Sequence, residues 1–112
     1  MLSIYKRKNL DNFINYVSEE CEPVLFSTAV GSYVDIVMNL IDPEKKIEYR
    51  LTQENCDKLV KEEEEIDELV KDLQLLGRDM RRVVYLDAKP FSYWMYPDNS
   101  FALEEFRADQ TM

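Results

Sequence analysis

Histidine is absent from the 112 residues of the chain. Its absence removes Ser-His-Asp and Cys-His catalysis, the usual imidazole ligands and the commonest general base. Glycine is scarce as well: Gly31 and Gly77 are the only two, too few and too far apart for a glycine-rich phosphate loop. The two cysteines, Cys21 and Cys56, make no disulfide framework. Both are expected to be reduced, Cys56 as a small apolar residue on a helix face and Cys21 near a helix end. Basic residues are outnumbered, 14 Lys and Arg against 23 Asp and Glu, which leaves a net charge of -9. A surface of that sign repels nucleic acid and anionic membrane and steers basic partners toward it. No apolar run is long enough to span a bilayer. The segment from Met1 to Lys8 places its basic residues after its apolar ones and lacks the apolar core and cleavage site of a signal peptide. The expected location is cytoplasmic.

What is present points to a folded chain. Hydrophobic residues make up 46% and charged residues 33%, at a length typical of one domain. A single domain over residues 1–112 is expected, folding without metal or cofactor. Leu10, Phe13, Ile14 and Val17 recur at i, i+3, i+4 and i+7, which predicts a short amphipathic helix from Asn9 to Glu20, ended by Pro23. Val24 to Val30 reads as a short β run closed by Gly31. From Tyr33 to Ile41 the chain alternates, with Val34, Ile36, Met38 and Leu40 on one side. Asp42 to Lys45 supplies a turn, and Ile47, Tyr49 and Leu51 alternate beyond it, so a hairpin is expected in which each apolar residue faces another.

Thr52 is a plausible N-cap for the next element and Gly77 its stop. Between them Cys56, Leu59, Val60, Ile66, Leu69, Val70, Leu73 and Leu76 form a helical stripe that lapses between Lys61 and Glu65. The pattern predicts one long acidic helix of about 36 Å, continuous or kinked, or two helices broken at the glutamates. Met80 to Asp87 and Phe91 to Tyr96 read as strands, with Pro97 to Ser100 as a turn. Phe101, Leu103 and Phe106 then form a last strand or a short helix. The order α-β-β-α-β-β describes an α+β domain, an antiparallel sheet of about four or five strands with the N-terminal helix and the long acidic helix packed on one face.

Two surfaces stand out as candidates for binding, and no residue stands out as catalytic or metal-ligating. From Glu54 to Asp72 nine carboxylates face three lysines. Glu54 with Lys58, Asp57 with Lys61 and Asp67 with Lys71 are favourable i, i+4 pairs, whereas Glu64 with Glu68 and Glu68 with Asp72 repel. The surplus makes Glu62, Glu63, Glu64, Glu65, Glu68 and Asp72 a candidate anionic ridge for a basic protein. On one helix its charge density is about one per 5 Å, against about one per 1.7 Å in duplex DNA. A duplex mimic would need a second copy or the neighbouring acids Glu19, Glu20 and Glu22. The other candidate is the aromatic segment, where Trp94 and Tyr96 share one strand face and Phe91 and Tyr93 the other; only one face can be core, and Trp94 and Tyr96 are the expected interface anchors if theirs is the displayed one. Asp35 with Glu48 and Arg50 faintly resembles the acid and Glu-x-Lys sets of metal-dependent nucleases. The hairpin register separates Asp35 from Glu48 by about 13 Å, so the expected role of Asp35 is an ion pair with Arg50.

On its length, its charge and the acidic run Glu62 to Glu65, the chain resembles the small acidic inhibitors made by phages and mobile elements, of anti-restriction and anti-CRISPR type. It is similar in the same way to immunity proteins and antitoxins. The resemblance implies a non-enzymatic inhibitor that occupies the basic, nucleic-acid-handling surface of a protein partner and binds neither nucleic acid nor membrane itself. A homo-oligomer joined through its aromatic strands is the alternative.

Overall fold

The computed structural model describes residues 4–61, 64–88 and 96–106, with backbone alone for 57–61 and 64–69. The N-terminal helix α1 spans Leu10–Glu20 as its stripe predicts. Ile14 is buried, Leu10 and Val17 are half-buried, and Phe13 is exposed. Strand β1 (Val24–Phe26) follows, then helix α2 (Gly31–Ile41) and strand β2 (Tyr49–Leu51). β1 and β2 pair in parallel, Val24 with Tyr49 and Phe26 with Leu51.

The expected hairpin across Asp42 to Lys45 is therefore corrected to a βαβ unit. Parallel neighbours cannot be joined by a tight turn and need a crossover, usually helical. The residues from Tyr33 to Ile41 carry both periods, because Val34, Val37, Met38 and Ile41 also recur at i, i+3, i+4 and i+7. Burial follows that second set. Val34 and Met38 are buried and Val37 and Ile41 half-buried, while Ile36 and Leu40 of the alternating set are exposed. The turn itself stands where expected and leads a helix into a strand. The Asp42 carboxylate, on a residue only 3% exposed, accepts the N–H of Lys46 at 3.0 Å and of Ile47 at 2.9 Å.

The long acidic helix is also corrected. Thr52 begins only a 3₁₀ turn, Gln53–Asn55, and its N–H donates to the Asn55 side chain at 2.9 Å. Strands β3 (Asp57–Lys61) and β4 (Glu64–Val70) then pair antiparallel, with an irregularity between Lys58 and Val60. A helix would have carried the repelling pairs Glu64 with Glu68 and Glu68 with Asp72. The strand register instead sets Lys61 opposite Glu64, an opposite-charge cross-strand position. The lapse in the apolar stripe falls where β3 gives way to β4. Gly77 does stop an element, the 3₁₀ turn Leu73–Leu76, in the left-handed conformation with φ 65°.

Of the strand expected over Met80 to Asp87, only β5 (Tyr85–Asp87) is extended, after a 3₁₀ turn at Met80–Arg82 in which the Asp79 carboxylate caps the Arg81 N–H. The strand expected at Phe91 lies, up to Met95, outside the described residues. Strand β6 (Ser100–Ala102) pairs in parallel with β5, Tyr85 with Ser100 and Asp87 with Ala102. The Asn99 amide ties the two segments by donating to the carbonyls of Met80 and Val83 at 2.6 and 3.0 Å. Among the described residues the strands thus pair two by two, and the buried apolar side chains are Ile14, Val34, Met38, Val70, Leu73 and Tyr85. The radius of gyration, 15.0 Å, exceeds the roughly 13 Å of a compact chain of this length. The core is thin.

Candidate functional site

Side chains alternate along a strand, so Tyr85 and Asp87 stand on one face of β5 with Leu86 on the other. Leu86 is exposed and Tyr85 only 7% exposed, which fixes which face is inward. Asp87 closes the strand at its carboxyl end. In open sheets of parallel strands that end is where ligands bind.

Onto this carboxylate comes Lys71, the first residue after β4. Its Nζ lies 2.7 Å from Asp87 Oδ2, with the two side chains 9% and 15% exposed. The Tyr85 hydroxyl donates to the same oxygen at 2.7 Å, and the ammonium sits 5.7 Å from the centre of the Tyr85 ring. A lysine is almost never this buried unless paired. The Lys71 ammonium thus stands at a strand end with the Asp87 carboxylate against it, the Tyr85 hydroxyl on that carboxylate and the Tyr85 ring face beside it.

The next residue continues the pattern. Asp72 accepts the Gln74 N–H at 3.0 Å and the Tyr96 hydroxyl at 2.6 Å, which joins the acidic segment to the aromatic one. Burial first, and then the Asp72 carboxylate, raise the Tyr96 hydroxyl above its ordinary pKa.

At the other parallel pair, β1 is followed by Ser27 and Thr28 ahead of the amino end of α2. The Ser27 hydroxyl accepts the Ala29 N–H at 3.1 Å. That helix end carries its own anion. Glu54 takes hydrogen bonds from the Thr52 hydroxyl, its own N–H and the Gly31 N–H, which together hold its carboxyl below the usual range. Cys56 Sγ lies 3.8 Å from the Ser27 carbonyl and 3.6 Å from that of Thr52. Arg50 Nη1 donates to Asp35 at 3.0 Å, the partners expected from sequence, now joining β2 to α2.

Of the residues proposed from sequence for partner binding, Asp72 and Tyr96 are brought together. Glu64, Glu65 and Glu68 lie in β4, and Glu62, Glu63 and Trp94 lie outside the described residues. Among the described residues no three His, Cys, Asp or Glu side chains cluster so as to hold a metal ion. Sequence reasoning passed over Lys71, Tyr85 and Asp87, having spent Lys71 on a helical pair with Asp67. The signal was there in Val83 to Asp87, an apolar run that ends on a carboxylate.

Lys71, Tyr85 and Asp87 thus cluster at the carboxyl end of a parallel strand. The chain belongs to the NLI interacting factor-like phosphatase family, whose model matches residues 1–112. Among its relatives is a human carboxy-terminal domain RNA polymerase II polypeptide A small phosphatase, 38% identical over 97 residues, 87% of this chain and 35% of that protein. A CTD small phosphatase-like protein of Dictyostelium discoideum is 33% identical over 106 residues, 94% of this chain and 18% of that protein. A mitochondrial import inner membrane translocase subunit of Gibberella zeae is 35% identical over 107 residues, 96% of this chain and 19% of that protein. The chain thus spans between about a fifth and about a third of the length of these relatives.

This membership overturns the resemblance to phage and mobile-element inhibitors and the non-enzymatic reading drawn from it. The family is one of phosphatases. The physical error is specific. Lack of histidine excludes imidazole chemistry, but phosphoryl transfer is mostly positioning and electrostatic stabilisation, and a carboxylate can serve as its nucleophile. Surface charge and size, which many folds share, carried the rest of that reading.

Proposed function

We propose that this chain forms part of the phosphate site of a phosphoprotein phosphatase, with Lys71 as the cation that neutralises the phosphoryl group. One observation carries the reading: a lysine 9% exposed, held 2.7 Å from Asp87 at the carboxyl end of β5. In phosphoryl transfer the charge spreads over three equatorial oxygens, and the protein contributes by placing positive charge against them. A compact ammonium suits this role as a point charge. In a site shielded from water it acts more strongly than on the surface, and it needs no reorganisation during the reaction. Asp87 and Tyr85 hold the ammonium in place. The names of the relatives support a phosphorylated protein segment as substrate.

The test is turnover of p-nitrophenyl phosphate and of a phosphopeptide by the full-length protein. Lys71→Met is expected to lower kcat by about 10²–10³-fold, the loss seen when one preorganised charge-stabilising donor is removed. Lys71→Arg keeps the charge, loses the point geometry and should fall between. Wild-type protein that turns over neither substrate would overturn the reading, as would full activity in Lys71→Met.

A further inference from the structure

Asp87 Oδ2 accepts from Lys71 Nζ and from the Tyr85 hydroxyl, each at 2.7 Å. Tyr85 touches both charged partners, through its hydroxyl to Asp87 and through its ring face to Lys71, with the ammonium 5.7 Å from the ring centre. Its own position is set twice, by burial at 7% exposure and by pairing of its backbone with Ser100 of β6. Lysine has a long, flexible stem, and one contact with a carboxylate that can turn about its own bond does not fix where the ammonium points. A second donor on the same oxygen holds the carboxylate, and an aromatic face attracts the cation along its normal.

We infer that Tyr85 is a positioning residue for Lys71. Its hydroxyl fixes the Asp87 carboxylate and its ring seats the ammonium, so that Lys71 offers one direction of approach to a phosphate oxygen. This inference rests on the reading of Lys71 as the phosphate-binding cation. Tyr85 differs from a residue that merely fills the core in that its hydroxyl meets Asp87 and its ring faces Lys71.

Tyr85→Phe keeps the ring and nearly the volume and removes only the hydroxyl. In the full-length protein it should lower kcat for p-nitrophenyl phosphate by about tenfold and leave KM nearly unchanged, because small misplacement of a charge costs transition-state stabilisation more than ground-state binding. The decisive measurement is a double-mutant cycle of Tyr85→Phe with Lys71→Met, read as turnover and as binding of inorganic phosphate by calorimetry, with a thermal melt of each protein. If Tyr85 acts through Lys71, Tyr85→Phe has no further effect once Lys71 is gone. An equal loss in both backgrounds would make Tyr85 a structural residue and overturn the inference. Where Lys71→Met gives no native melt, Lys71→Arg replaces it, and the effect of Tyr85→Phe should then shrink to less than half its wild-type factor; the full factor overturns the inference. Lys71→Met with wild-type turnover and phosphate binding would sink the phosphate-site reading itself. Impaired Lys71→Met beside wild-type behaviour in Tyr85→Phe would sink the role of Tyr85 alone.

Discussion

Asp72 and Tyr96 were assigned to separate surfaces, an acidic helix and an aromatic strand, and they share a hydrogen bond of 2.6 Å. Burial and the Asp72 carboxylate both oppose ionisation of this phenol, so its pKa is raised from the usual 10.0. A group whose pKa is raised on folding contributes stability below its unfolded value, and the contribution is lost as pH rises through the folded value. The melting temperature should therefore fall above about pH 10 more steeply for wild type than for Tyr96→Phe. Near neutral pH, Tyr96→Phe should cost about 1.5 kcal/mol, the worth of a hydrogen bond to a charged acceptor. Parallel melting curves from pH 7 to 11 would show that the hydroxyl is not held by Asp72.

At the scale of elements, the two glycines behave oppositely. Gly77 ends its 3₁₀ turn at φ 65°, where a Cβ is strained whatever the space around it, so Gly77→Ala should destabilise by about 1 kcal/mol. Gly31 opens α2 with no positive φ, and a Cβ there would meet Thr52 Oγ1 at 3.6 Å and the Glu54 carboxylate at 3.7 Å, ordinary contact distances. Gly31→Ala should stabilise by about 0.5 kcal/mol through the unfolded chain. Chemical denaturation of both variants checks the signs, and a destabilised Gly31→Ala would mean that Glu54 cannot give way at the helix end. Helix α1 and the Asp42 turn were legible because each has one pattern and one local solution. Helix α2 was not, because Tyr33 to Ile41 satisfies the period of a strand and of a helix at once. The acidic stretch misled by a different route, since its carboxylates suggested a helix face while their mutual repulsion argued against one.

At the scale of the whole chain, the net charge of -9 bears on the proposed function, since a phosphorylated substrate would itself be anionic. A phosphopeptide flanked by basic residues is expected to be turned over with a higher kcat/KM than one flanked by acidic residues. The difference should shrink as salt rises from about 0.01 M to 0.15 M and the screening length drops from about 30 to 8 Å. Equal rates at low salt would confine the charge to solubility. The chain spans about a third or less of several relatives.

By itself the sequence determined the negative charge, the exclusion of imidazole chemistry, the first helix and the sites of the turns, all of which depend on composition or on neighbours in the chain. Tertiary structure decided the rest. Lys71 lies 16 residues from Asp87, and no local periodicity marks a lysine that will be buried against a carboxylate. Pairing of β1 with β2 in parallel forces a crossover and so selects the helical period over the alternating one. Alternation along β5 puts Tyr85 and Asp87 on one face, and the fold makes that face the inward one, with Tyr85 7% exposed. Sequence spacing set which residues could meet, and the long-range strand pairing set which of them did.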